Sequence, residues 1–259
     1  MGKKKDLQLM PTRVFIVTGS SRGIGLATTL ALLEAADTVV VGVSRGAAAA
    51  AVASHGRYEH VTGSVTDEAT QRAAVAAAAA REGTAGRIGG VVFNAGVVQP
   101  IARLDGVDVG RLRALLDVNV VSAVGLAQKA AAHAGATARF VFVSSGAAVA
   151  PYRGWGAYCA SKAALNMVVR VLALELPHVV SVAVRPGVVD TDMQAALRLA
   201  ENRDAMGQDN LDYFTALHAD AKLLSPDLPA KAIARLVLNA PKELSGEFIN
   251  WNDPRLESL

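Results

Sequence analysis

Seven short runs rich in β-branched and aromatic residues punctuate this chain, at 14–17, 38–43, 60–62, 90–93, 139–143, 179–184 and 247–249. Their apolar residues do not alternate with polar ones. A strand covered on one face alternates; a near-continuous apolar run is covered on both, as in a parallel sheet. Helical stretches separate the runs, at 25–35, 68–81, 109–133, 157–176 and 229–238. Such alternation means βαβ units, so the sequence predicts an α/β fold: a doubly wound parallel sheet of seven strands with helices on both faces. No linker, composition break or solenoid period divides the 259 residues, which predicts one domain over 1–259. The least regular stretch, 194–229, follows the sixth strand. Open α/β sheets bind ligands at the carboxyl ends of their strands, so this stretch is expected to be a substrate lid.

Composition removes several other classes. Hydrophobic residues make up 52% and charged residues 19%, which argues against disorder. The net charge of +3 and pI of about 9.1 owe much to Lys3, Lys4 and Lys5. No basic stripe accompanies them, so no nucleic-acid partner is expected. Cys159 is the one cysteine, which rules out an intrachain disulfide and CxxC zinc spacing; no metal site is expected. No apolar core follows the N-terminal lysines, so 1–12 does not read as a signal peptide. Gly2 is followed by Asp6 where a myristoylation signal has Ser or Thr. The alanines of 73–80 lie between Arg72 and Arg81 and read as surface helix. No long uncharged apolar run suggests a membrane partner, and a cytoplasmic location is expected.

The first strand runs into Thr18-Gly19-Ser20-Ser21-Arg22-Gly23-Ile24-Gly25. A tight strand-to-helix turn needs backbone positions that side chains obstruct. Gly19 suits the turn, Gly23 lets a pyrophosphate approach, and Gly25 lets the helix pack on the sheet. Ser21 and Ile24 fall in the same turn, whose free N–H groups at a helix N-terminus suit a pyrophosphate. The spacing differs from G-x-G-x-x-G, and taken alone it also fits a plain tight turn. The second strand ends at Ser44-Arg45, where an NAD site wants an acid for the ribose 2′-OH. Arg22 and Arg45 instead suit a 2′-phosphate, as in NADPH/NADP+, although both could be solvated surface arginines.

Tyr158 and Lys162 are four residues apart in a helical stretch and share one face. An ammonium beside a phenol stabilises the phenolate and lowers its pKa, making it a usable general acid. Ser145 closes the fifth strand thirteen residues before Tyr158 and can donate to a carbonyl oxygen. Asn119 could hold a water against Lys162. Each residue alone has an ordinary alternative: packing, a turn hydroxyl, a core amide. Their joint order carries the catalytic reading.

In these motifs the chain, from about Arg13 to Trp251, resembles the short-chain dehydrogenase/reductase family, with its Rossmann-type sheet. Thr18 to Gly25 matches the TGxxxGIG turn, and Asn94-Ala95-Gly96 the NAG motif. Asn119 matches the helix asparagine, and Ser145, Tyr158 and Lys162 the catalytic set. Pro186-Gly187-Val188-Val189-Asp190-Thr191 matches the segment that receives the nicotinamide carboxamide, through Val189 backbone and Thr191 hydroxyl. The family usually has Asp where this chain has Ser64, which leaves more of the adenine contact to the Val65 backbone. A closer resemblance, in Gly154-Trp155-Gly156-Ala157-Tyr158, Thr191-Asp192-Met193-Gln194 and Asn250-Trp251-Asn252-Asp253-Pro254, is to benzil reductases, themselves similar to sepiapterin reductases. It implies NADPH-driven reduction of ketones or vicinal diketones. Asn250 takes the place of the acid that anchors a pterin, which argues against a pterin substrate.

The resemblance further implies that Tyr158 protonates the carbonyl oxygen and that Lys162 also binds the nicotinamide ribose. Tyr152, Trp155, Val97, Met193 and Tyr213 or Phe214 are candidate pocket residues. It also implies a homodimer or homotetramer built through the helix carrying Tyr158 and its neighbour. An NADP-dependent alcohol or sugar dehydrogenase on the same site, and a silent dinucleotide sensor, stay open at this point.

Overall fold

The computed structural model describes residues 12–81, 84 and 87–259. The readings made on Gly2, Lys3, Lys4, Lys5 and Asp6 lie outside the described residues. Seven strands form one sheet: β1 (Arg13–Thr18), β2 (Thr38–Ser44), β3 (Tyr58–Thr62), β4 (Ile88–Phe93), β5 (Ala134–Val143), β6 (Val180–Arg185) and β7 (Phe248–Asn250). They lie in the order β3-β2-β1-β4-β5-β6-β7, and every pairing is parallel. The order reverses between β1 and β4, which opens a crevice at their carboxyl ends, where such folds bind ligands.

The helices are α1 (Gly23–Leu33), α2 (Ala50–Ala53), α3 (Glu68–Ala79), α4 (Val109–Leu116), α5 (Ser122–Ala131), α6 (Gly156–Glu175), α7 (Asp192–Leu197), α8 (Arg203–Met206), α9 (Gln208–Ala219) and α10 (Asp227–Asn239). Successive strand residues face opposite sides. Val14, Ile16, Phe140 and Phe142 pack against Ala74 of α3, Leu126 of α5 and Leu165 of α6. Phe15, Val17, Val141 and Val182 pack against Leu32 of α1 and Ile233 and Leu236 of α10. Two covered faces are why these strands read as unbroken apolar runs. The edge strand β3 is only half-buried and tolerates Glu59 and His60.

Two stretches differ from the sequence expectation. The helix expected over 109–133 is split: α4 passes into a π-helical turn over Asp117–Val121 before α5 begins. The wider turn turns Asn119 inward, 2% exposed. Second, 194–229 is largely helical, in α7, α8 and α9. Its charged residues hide a real periodicity: Leu211 and Phe214 are buried while Tyr213 is 53% exposed. These helices cover a third apolar cluster, Trp155, Tyr158, Leu197, Met206 and Phe214, at the carboxyl edge of the sheet.

Among the described residues, α6 is the one helix long and apolar enough to cross a membrane. Here it lies on the sheet, with Leu165 and Val169 in the core. Its other face leaves Met167, Val171 and Leu174 at 54%, 40% and 82% exposure.

Candidate active site

The end of β1 is laced to the end of β4. The Thr18 hydroxyl accepts from the Asn94 and Ala95 N–H groups, each at 3.0 Å, and donates to the Val92 carbonyl at 3.3 Å. The Asn94 amide donates to the Thr18 and Gly19 carbonyls at 2.9 and 3.2 Å. Asn94 therefore fixes the turn from behind. Gly19 and Gly23 have φ of +69° and +53°, a region that favours glycine. A Cβ on Gly25 would run into the Gly19 carbonyl and stand 2.5 Å from Asn94 Nδ2. Gly25 thus clears the turn itself rather than the sheet behind it. A Cβ on Gly23 would lie 3.2 Å from Thr191 Cγ2, so the glycine turn and the segment after β6 meet there. Gly187 (φ +82°) turns that segment beneath Leu224 and Trp251, and Thr191 caps α7 by accepting from the Gln194 N–H at 3.4 Å. Pro186 is buried, and Val189 bridges to Leu224.

The residues expected around the adenosine are placed less uniformly. Arg45 is exposed. Arg22 reaches the other way and pairs with Asp192, the first residue of α7, at 2.6 Å; both side chains are 70% exposed. The Ser44 hydroxyl turns inward and donates to the Gly46 carbonyl at 3.1 Å. Ser64 bonds the Thr66 hydroxyl at 2.8 Å, and the Val65 carbonyl accepts from Gln71 at 2.7 Å. Ser21 and Ile24 are half-buried in the turn, and Ile24 packs on the α1 side of the core.

Tyr158 and Lys162 face the same side of α6, with the Lys162 Nζ 5.6 Å from the centre of the Tyr158 ring. Both are buried, 7% and 4% exposed. Ser145 lies beside the Tyr158 hydroxyl, close enough to pull its pKa down. The Ser145 hydroxyl accepts from the Ala147 N–H at 3.1 Å, which holds the chain as it leaves β5. Lys162 Nζ donates to the Val143 carbonyl at 2.8 Å. The expected lowering of the phenol pKa by Lys162 is not what this arrangement produces. Burial pushes Tyr158 up to about 12, against the opposing pull of Ser145. Burial also brings Lys162 down to about 8. With its ammonium engaged at Val143, desolvation dominates both groups.

Asn119 is buried in the π-helical turn. Its amide is taken up by a backbone clamp: Oδ1 accepts from the Val97 N–H at 2.8 Å, and Nδ2 donates to the Val97 carbonyl at 2.8 Å and to Ser161 Oγ at 3.0 Å. A Cβ on Gly96 would lie 3.3 Å from Asn119 Oδ1 and 3.7 Å from Lys162 Nζ, so Gly96 lets all three come together. The Asn119 side chain thus ties the segment after β4 to α6.

Trp155 stands edge-on to Tyr158, ring centres 6.0 Å apart, and stacks on Tyr152 and Phe214 at 4.9 and 5.1 Å. Val97 and Met193 pack on the same cluster, while Tyr213 points outward. The sequence named Trp155 only as an apolar pocket residue and did not single out the Gln194 amide. Trp155 Nε1 and both side-chain heteroatoms of Gln194 are buried without a hydrogen-bond partner among the described residues. Gln194 shares a helix face with Leu197, which enters this cluster. A buried polar atom without a partner is costly and is the one signal that points to them. Cys159 carries a free thiol, and His133 and His178 are exposed.

The glycine turn fits a dinucleotide: Gly19 and Gly23 hold positive φ, and a Cβ on Gly23 would enter the space facing Thr191. Comparison with known proteins agrees. A model of the short chain dehydrogenase family matches residues 13–202. An uncharacterized oxidoreductase of Schizosaccharomyces pombe is 41% identical over 244 residues, covering 92% of this chain and 96% of its own. The benzil reductase ((S)-benzoin forming) of Saccharomyces cerevisiae is 36% identical over 259 residues, with 94% and 97% covered. The crystal structure of a Saccharomyces cerevisiae short chain dehydrogenase/reductase is similar with a TM-score of 0.90 at 36% identity, over 95% of this chain and 98% of that one. A Beutenbergia cavernae structure with NADP bound at low occupancy, described as a candidate NAD(P)-dependent gluconate 5-dehydrogenase, gives a TM-score of 0.76 at 27% identity, over 95% and 97%. On this fold, this turn and these relatives, the chain belongs to the short chain dehydrogenase family, whose members bind NAD(P) and act as oxidoreductases.

Proposed function

We propose that this chain is an NADPH-dependent carbonyl reductase that turns a ketone or vicinal diketone into the hydroxy compound. The observation that carries the proposal is a buried phenol, kept protonated by that burial, with Ser145 and Lys162 beside it. Gly19, Gly23, Asn94 and Thr191 would hold the dinucleotide across the β1–β4 crevice, with Val189 and Lys162 toward its nicotinamide end. When bound, the reduced nicotinamide supplies a hydride to the carbonyl carbon. The Ser145 and Tyr158 hydroxyls donate to the carbonyl oxygen, and Tyr158 gives up its proton as negative charge develops there. A phenol that stays protonated to about 12 is ready for that step throughout the neutral range. The oxidative direction needs a phenolate base and is disfavoured by the same burial. The Lys162 ammonium, below about pH 8, offsets the negative charge left on the phenolate oxygen.

The preference for the 2′-phosphorylated cofactor rests on Arg45 and on the absence of a carboxylate at 44–46. A bulky or diketone substrate is supported by the aromatic cluster of Tyr152, Trp155 and Phe214 and by the similarity to benzil reductase. Trp155 Nε1 and Gln194 are polar groups suited to a second substrate oxygen beneath the 194–229 lid. The stripe of Met167, Val171 and Leu174 supports assembly with copies of the chain, as a homodimer or homotetramer. The unpaired Cys159 suits the cytoplasm.

The test is steady-state reduction of a ketone and vicinal-diketone panel with NADPH and with NADH. Benzil-like diketones are expected to turn over, with NADPH preferred by at least about tenfold, the worth of one charge-assisted bond. Equal use of NADH, or no consumption of NADPH with any carbonyl, would contradict the proposal.

A further inference from the structure

We infer that Tyr58 and His60 on β3 form a strut that fixes the loop reading the ribose 2′ position against the phosphate turn, and so set cofactor selectivity. This deepens the NADPH reading above and rests on it. The strut runs through side chains from two places that are far apart in the sequence. Ser20 of the glycine turn is fully buried, and its hydroxyl lies 3.3 Å from the Tyr58 hydroxyl. The Tyr58 hydroxyl lies 2.9 Å from His60 Nδ1. His60 Nε2 lies 2.9 Å from the Gly46 carbonyl and 3.3 Å from Ser44 Oγ.

The chemistry of the end group gives the chain its direction. A carbonyl oxygen only accepts, so His60 Nε2 carries the proton and donates to Gly46. In the neutral ring Nδ1 then accepts from Tyr58, and the Tyr58 oxygen accepts from Ser20. The passage depends on Gly42 in β2. A Cβ there would run into the Tyr58 hydroxyl and stand 2.5 Å from Ser20 Oγ. Gly42 therefore opens the route by which a residue from β3 crosses β2 to reach the turn after β1.

The tether matters because of what it holds. Past Ser44 the chain leaves the sheet, and among the described residues no backbone hydrogen bond anchors 45–48. The Gly46 carbonyl, bonded by His60 and Ser44, is the fixed point of that segment. Arg45 lies on it, next to Gly46. With the loop backbone fixed at Gly46, the Arg45 side chain starts from a held root when a 2′-phosphate binds; with it loose, binding must order the loop first. NAD+ has no 2′-phosphate and gains little from that placement. His60 is thus a positioning residue that acts through Arg45.

The test is calorimetric binding of NADP+ and NAD+ to the full-length protein carrying His60→Ala, His60→Gln, Tyr58→Phe or Arg45→Ala. His60→Ala should weaken NADP+ by about tenfold, the cost of ordering about one loop residue, and NAD+ by less than about threefold. Glutamine can replace the Nε2 donor, so His60→Gln should recover most of the loss. Tyr58→Phe keeps the ring and removes the bonds to both Ser20 and His60 Nδ1 but leaves His60 donating to Gly46, and should give an intermediate loss confined to NADP+. Equal weakening of both cofactors by His60→Ala, or no change in either, overturns the strut. So does His60→Gln behaving like His60→Ala. If Arg45→Ala weakens NADP+ selectively while His60→Ala does not, the strut fails and the NADPH reading stands. If Arg45→Ala leaves the NADP+ to NAD+ ratio unchanged, the NADPH reading fails and the strut with it.

Discussion

Lys162 is a charge buried at a cost, and that cost sets a pH dependence of folding. Its side chain is 4% exposed and its Nζ donates to the Val143 carbonyl. Burial brings its pKa from 10.5 to about 8. At about 1.36 kcal/mol per pH unit, that displacement corresponds to about 3 kcal/mol. Below pH 8 both the folded and the unfolded chain hold the proton, and the folded chain bears the whole penalty. Between 8 and 10.5 the unfolded chain still binds the proton and the folded chain does not, so raising the pH stabilises the fold. Lys162→Met has no such group. It leaves the Val143 carbonyl without this donor, at about 1–3 kcal/mol, but that loss is independent of pH. Tyr158, raised to about 12, acts in the opposite sense, but only above about 10, and equally in both proteins. The assay is urea unfolding of the cofactor-free protein at fixed concentration from pH 7 to 10. Relative to Lys162→Met, the wild type should gain about 2–3 kcal/mol over that range. Curves that stay parallel to within about 0.5 kcal/mol would refute the buried ammonium.

Two further predictions concern the turn and the outer face of α6. Gly25→Ala places a methyl against the Gly19 carbonyl and the Asn94 amide; it should cost about 1–3 kcal/mol in thermal or urea unfolding and abolish dinucleotide binding by calorimetry. Leu174→Glu puts a charge into the exposed stripe of Met167, Val171 and Leu174; sedimentation should show the assembly shifted toward monomer while the monomer stays folded.

The strands were legible because burial on both faces leaves unbroken apolar runs; all seven lie where the sequence placed them to within two residues at their ends, except that β5 begins five residues earlier, at Ala134. Tyr158 and Lys162 were legible as a pair because helical spacing alone puts them on one face. What lay out of reach came from contacts across the fold. A π-turn adds one residue to a helix whose periodicity still reads as helical, so the inward turn of Asn119 gave no signal. The Arg22–Asp192 pair joins residues 170 apart. The Tyr58–His60 strut runs between strands, through room left by Gly42. The direction of the Tyr158 shift followed from burial, which spacing does not report. The helices of 194–229 were hidden by charged residues on their outer faces.

The central claim is that the Tyr158 hydroxyl delivers the proton, and Tyr158→Phe tests it most directly. The ring stays and the acid goes. Turnover of a diketone that the wild type reduces with NADPH should fall by about 10²–10⁴-fold, with NADP+ affinity within about threefold of wild type. A variant that keeps more than about a tenth of wild-type turnover would place the proton donor elsewhere.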